Sequence, residues 1–319
     1  MAEKEKKQFV KTAADAAKAV GQSTKIVASK TKEEVVKLLD QDGNGQIDSA
    51  DIIIMAMKVP GVKIKRAEFL RREFQKYVPE EKIKRAIETT PANAGIDRMV
   101  VDKIADSVIK FERNAVSGIS MALGFPGGAA MAVTIPADIA QYYGYMIRAA
   151  QKMLYLYGFP EIDTSEENLM LDSETLNSLT VCLGVMYGVA GANNAIKAMA
   201  KALAKGVEKQ LMKKALTKGT IYPIVKAVAK WFGQKMTKEV FAGFFKKTIP
   251  VVGGVVGGGI TFATFKPCCY RLKEVLQDTI LSNPDHFETE EEKKIFDDIQ
   301  NEVIDVEPDE IRDAEKNKE

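Results

Sequence analysis

Three uncharged runs govern what this chain can become: residues 114–137, 175–196 and 248–265, of 24, 22 and 18 residues. None sustains the apolar–polar alternation of a strand, so the pattern predicts an all-α protein, a multi-helix bundle. Their lengths approach the roughly 20 residues that a spanning helix needs. Pro126, Gly127, Gly128 and Pro136 interrupt the first run, however, and Asn177, Asn193 and Asn194 place amides in the second. Such interruptions fit a packed helical core or a re-entrant hairpin better than simple spans. With 319 residues, 46% of them apolar, a buried core can extend over most of the chain.

Around these runs the composition changes in steps. Residues 1–30 are rich in Ala and Lys and read as a loosely held helical arm with little apolar surface to dock it. Residues 31–60 read as helix, loop, helix: Thr31 and Glu34 form a capping-box pattern, and Val35, Val36, Leu38 and Leu39 supply an apolar face. Residues 61–95 form a charged helical connector that breaks at Thr89, Thr90 and Pro91. Residues 96–283 carry the apolar mass. Residues 284–319 form an acidic tail expected to be flexible, with a short helix from Glu290 to Val303.

The loop in the second segment is the most specific signal. Counted from Asp40, positions 1, 3 and 5 are Asp40, Asp42 and Asn44, position 7 is Gln46, position 9 is Asp48 and position 12 is Asp51. A hard cation such as calcium takes six to eight oxygens, and this spacing offers side-chain oxygens plus the Gln46 carbonyl, with Asp48 acting directly or through water. Gly45 stands at position 6, where the chain must turn through an unusual backbone angle, and Ile47 at position 8 packs inward. The loop resembles the EF-hand, and its Asp at position 12 is similar to the dockerin form. The resemblance implies calcium as ligand. Asp51 is shorter than the usual Glu, which weakens a bidentate grip and shifts the balance toward magnesium. No second loop is present in the sequence to pair with it.

Two further segments carry a likeness. The first runs from Gly124 through Pro126, Gly127, Gly128, Pro136, Asp138, Gln141, Tyr142, Tyr145, Arg148 and Gln151 to Tyr157 and Gly158. The second holds Gly253, Gly254, Gly257, Gly258 and Gly259 after Pro250. Together they resemble the EcsC family of bacterial proteins over residues 97–283, with a looser similarity to the YcjF-like helical domains found beside membrane GTPases. The likeness implies a helical domain near a membrane. It supplies no reaction and no catalytic residues. Read from the residues, Pro136 suits the first turn of a helix on which Asp138, Gln141, Tyr142, Tyr145 and Arg148 share one face. That polar stripe is either an internal hydrogen-bond network, a pocket wall holding a polar ligand or cofactor, or an enzyme site built on Asp138. The glycines at four-residue spacing let helices approach closely. They lack the Lys-Ser/Thr ending of a phosphate loop.

Charge is distributed unevenly. Residues 191–250 hold 13 lysines against two acids, and residues 285–319 hold 15 acids against five bases. Lys197, Lys201, Lys205, Lys209 and Lys213 recur every four residues, the pattern of a basic amphipathic helix suited to an anionic membrane surface or a membrane protein. The acidic segment is the alternative cover for that stripe, and a soluble interaction module is the corresponding functional alternative. The block has no Arg and little aromatic interleaving, which argues against nucleic acid. Cys182, Cys268 and Cys269 show no disulfide framework and read as buried small apolar residues, while one histidine, His286, cannot build a zinc site or a His-based triad. The N-terminus lacks a signal-peptide core, so the expected location is the cytoplasm, peripheral to the inner face of the membrane. The features together lean away from an enzyme.

Overall fold

The computed structural model describes residues 40–45, 47–124, 131–162, 172–246 and 250–302, without the side chains of 119–138 and 235–261. Among the described residues the chain is all-helical: eleven helices and no strand. The arm at 1–30, the helix expected before the loop, Gln46 and the chain beyond 302 lie outside them.

Helix α1 (Ser49–Met57) begins on Asp48, whose side chain accepts from the Ala50 amide, and Asp51 returns the favour to the Asp48 amide in a capping box. Ile52, Ile53 and Ala56 on this helix are fully buried. Each isoleucine contributes about 1.5–3 kcal/mol by leaving water. Their main neighbour is α5 (Met131–Leu156), along whose second half nearly every side chain is buried. Helix α4 (Arg98–Gly124) lies beside α5 and pairs extensively with α10 (Pro250–Gln277). Arg113 over the Phe262 ring and Lys273 on Asp106 fix α4 and α10 as antiparallel.

The connector is stitched into the same body. Helices α2 (Arg66–Phe74) and α3 (Glu80–Glu88) bury Phe69, Leu70, Phe74, Ile83 and Ala86 in a core shared with α1, α4 and α5. Arg66 donates to the carbonyls of Ala86, Ile87, Thr89 and Phe159 at 2.6–3.0 Å. It thereby satisfies the acceptors that the end of α3 leaves open. Gln151 on α5 donates to the Val62 carbonyl at 2.9 Å and accepts from the Ile64 amide at 3.2 Å. These bonds join residues on either side of the composition steps near 60 and 95.

The second uncharged run, residues 175–196, is described throughout. It is divided between α6 (Ser173–Tyr187), which ends at the left-handed Gly188, and α7 (Ala192–Ala204). Among the described residues no helix is long and apolar enough to cross a membrane. Helix α5 holds Pro136 as the sixth of the residues Met131–Leu156, beyond a first turn. A proline within a helix removes one intrahelical bond, which the apolar flanks can outweigh.

The lysine stripe is corrected as well. Helix α7 stops at Ala204, and α8 (Lys209–Thr217) starts afresh, so the stripe does not lie on one continuous helix. Helix α9 (Tyr222–Lys246) follows. The acidic segment then packs against α7 through α11 (Glu290–Gln300), which is capped by Thr289 and buries Phe296 and Ile299. The part of the expected tail between 284 and 302 is thus folded.

Candidate metal centre

The loop ahead of α1 is organised by its acids. Asp51, fully buried, accepts three backbone amides: Gln41 at 2.6 Å, Asp42 at 3.3 Å and Asp48 at 2.8 Å. One carboxylate thus ties both ends of the loop to the first turn of α1. Asp40 accepts from the Gly45 amide at 2.9 Å, which requires the turn that Gly45 makes at φ 81°. That angle is accessible to glycine without a steric penalty. Asp42 accepts the Asn44 amide at 3.0 Å and its side-chain Nδ2 at 2.8 Å. Ligation by the Asn44 carbonyl oxygen would need its amide group to turn over.

These bonds draw three carboxylates together. Oxygens of Asp40, Asp42 and Asp51 lie within 4.8 Å of one another. Oxygens on opposite sides of a calcium ion are about 4.6–5.2 Å apart, twice the usual bond length. The Oδ1 of Asp40 is buried and has no hydrogen-bond partner. A buried carboxylate oxygen without a donor is costly, and a cation would satisfy it. Burial raises the Asp51 carboxyl above its ordinary value against the pull of its backbone donors. Burial likewise raises Asp48, assisted by the charge of Asp42. The chemistry of the set is all oxygen, which suits a hard divalent ion.

Of the six expected ligands, the structure brings Asp40, Asp42 and Asp51 together. Asp48 serves as N-cap through its Oδ1 on the Ala50 amide at 2.7 Å, and Asn44 is bonded to Asp42. Gln46 lies outside the described residues. One participant had no sequence signal. A Cβ on Gly233 of α9 would stand 2.7 Å from the Ile47 carbonyl oxygen, closer than real Cβ contacts come. Helix α9 therefore supports position 8 of the loop, the place where a paired hand would lean on its partner. Ser49 and Thr180 of α6, 3.3 Å apart, hold the start of α1 from the other side.

The second group of expected residues is engaged internally. Arg148 donates to the Gly61 carbonyl at 2.6 Å and lies 3.2 Å from Glu112 of α4. Glu112 is fully buried and also pairs with Lys152 at 2.5 Å. Burial draws the Lys152 ammonium below its ordinary value, against the attraction of Glu112. Tyr142 lies 3.1 Å from the Thr264 hydroxyl and meets Tyr143 and Phe265 edge-on. Gln141 bonds Tyr145, whose hydroxyl burial pushes up to about 12. The Asp138 side chain lies outside the described ones. Gln141, Tyr142, Tyr145 and Arg148 on α5 thus each make contacts within the fold. A cleft of about 670 Å³ opens elsewhere, between Thr89, Asn93, Glu161, Leu203 and Leu281.

The remaining groups are accounted for by packing. All three cysteines are buried thiols outside any disulfide, and burial pushes Cys182 up to about 12, so it is protonated at neutral pH. His286 bridges two acids, with Nδ1 3.1 Å from Asp278 and Nε2 2.8 Å from Glu292. Comparison with protein-family models, curated proteins and solved structures found no match to this chain.

Proposed function

We propose that this chain is a calcium-binding, membrane-associated helical protein of the EcsC type, acting without catalysis. The ion is held by Asp40, Asp42, Asn44, Gln46, Asp48 and Asp51, with magnesium as the competing ion. The observation that carries the reading is the buried, unpartnered Asp40 Oδ1 beside the carboxylates of Asp42 and Asp51. The register of the loop supports it, since Gly45 takes its positive φ at the sixth position. The location is the cytoplasm, at the inner face of a membrane. Exposed Lys205, Lys209 and Lys213 support attraction to anionic lipid, worth about 1 kcal/mol each near such a surface.

Calorimetric titration with calcium tests the metal assignment. The wild type should release heat, and Asp40→Ala/Asp42→Ala should not; identical traces would remove it. Flotation with phosphatidylserine-containing liposomes, with and without calcium, tests the membrane assignment separately. A protein that stays in the bottom fraction under both conditions counts against it.

A further inference from the structure

The basic block and the acidic segment meet face to face. On α7, Asn194, Lys197 and Lys201 fall at spacings of three and four and so share one side of the helix. Each is matched: Asn194 donates to Glu291, Lys197 lies 2.5 Å from Asp278, and Lys201 pairs with Glu288. The Lys201 ammonium also stands 4.0 Å from the Phe296 ring centroid. His286 clips the turn before α11, reaching Asp278 on one side and Glu292 on the other. Farther along, a Glu302 oxygen accepts the Thr220 amide at 2.7 Å.

Phe296 and Ile299 are the buried apolar side chains of α11, Ile295 is partly buried beside them, and Glu288, Glu291 and Glu292 supply the segment's polar contacts. Salt and competing charge weaken such contacts more than they weaken apolar packing. Beneath the cover lies a lysine-bearing helix that continues, past one turn, into exposed Lys205, Lys209 and Lys213. That is the composition of a surface that binds anionic lipid.

We infer that residues 285–302 are a built-in competitor for the anionic surface, shielding Lys201 until the segment is displaced, while Lys197 stays paired with Asp278 just past α10. The inference rests on the membrane reading above and adds its regulation: an acidic helix occupies the place of lipid headgroups. Displacement exposes Lys201 and an apolar strip together, so the freed face is both charged and greasy.

The test is sedimentation with vesicles of three parts phosphatidylcholine to one part phosphatidylserine at about 0.1 M salt, where charge acts over roughly 10 Å. The full chain is compared with Phe296→Ala/Glu288→Gln, which loosens the cover, and with the milder Glu288→Gln/Glu291→Gln in case the first variant unfolds. Circular dichroism checks helicity, and hydrogen exchange over 285–302 checks release. The loosened chain should bind at least tenfold more tightly than the wild type, and adding Lys201→Gln should remove the gain. Equal binding by wild type and loosened chain, with the segment shown to be released, overturns the inference while the membrane reading stands. A gain that survives Lys201→Gln also overturns it. No binding by any form defeats the membrane reading itself.

Discussion

The two acid-rich regions of this chain use the same residues to opposite ends. In the segment 285–302, Glu288 and Glu291 meet Lys201 and Asn194 of α7, and Glu292 meets His286 within the segment itself. In the loop at 40–51, the carboxylates of Asp40, Asp42 and Asp51 meet backbone amides and one another, and one oxygen meets nothing. Sequence composition does not separate these cases. What separates them, among the described residues, is whether the fold delivers a countercharge, and on the proposed reading the loop leaves that role to a cation from outside.

The sharpest way to break this contrast is to remove a compensated acid. Glu112→Leu should cost about 3–5 kcal/mol, because Lys152, only 7% exposed, is left without its partner. Urea unfolding reads the loss, and Glu112→Leu/Lys152→Leu should recover much of it. If the single substitution is neutral, the network is not compensating charge. In the loop the expected effect is smaller and reaches the ion first. Gly233→Ala should weaken calcium binding about tenfold, or 1.4 kcal/mol, by pushing on the Ile47 carbonyl. Alanine also favours helix by up to about 1 kcal/mol, so metal-free stability should hold steady while affinity falls. Unchanged affinity would show that α9 does not set the loop.

The gentlest probe is pH. Burial raises the carboxyls of Asp48 and Asp51 in the metal-free fold. The folded state then holds these protons more tightly than the unfolded chain does. Their contribution favours folding at acid pH and is lost as pH rises through the raised values. Metal-free protein should therefore lose part of its thermal stability between the ordinary carboxylate range and neutrality, and calcium should restore it. A melting temperature that is flat over that range, with and without calcium, would argue that the acids are not crowded.

Much of this was legible beforehand and the rest was not, for physical reasons. The absence of alternation in the uncharged runs announced helices, and the spacing of Asp40, Asp42, Gly45 and Asp51 announced the loop. Both are local signals carried by neighbours in sequence. The partnership of Arg148 with Glu112 spans 36 residues, and that of Ile47 with Gly233 spans far more. Nothing near either residue encodes its partner. The stripe on α5 was visible as a stripe, yet its use in packing depended on Gly61 and Glu112 arriving from elsewhere. The lysine period suggested one helix because spacing alone does not see the turn between α7 and α8.

Helix α1 leaves the loop directly into the interior, where Ile52, Ile53 and Ala56 have no solvent exposure. An ion arriving at Asp51 would find that helix already wedged, with no room to swing and bare a groove as sensor hands do. Calcium concentration would then be translated into persistence instead of shape: the loaded molecule outlasts proteases, and the emptied one is cleared sooner.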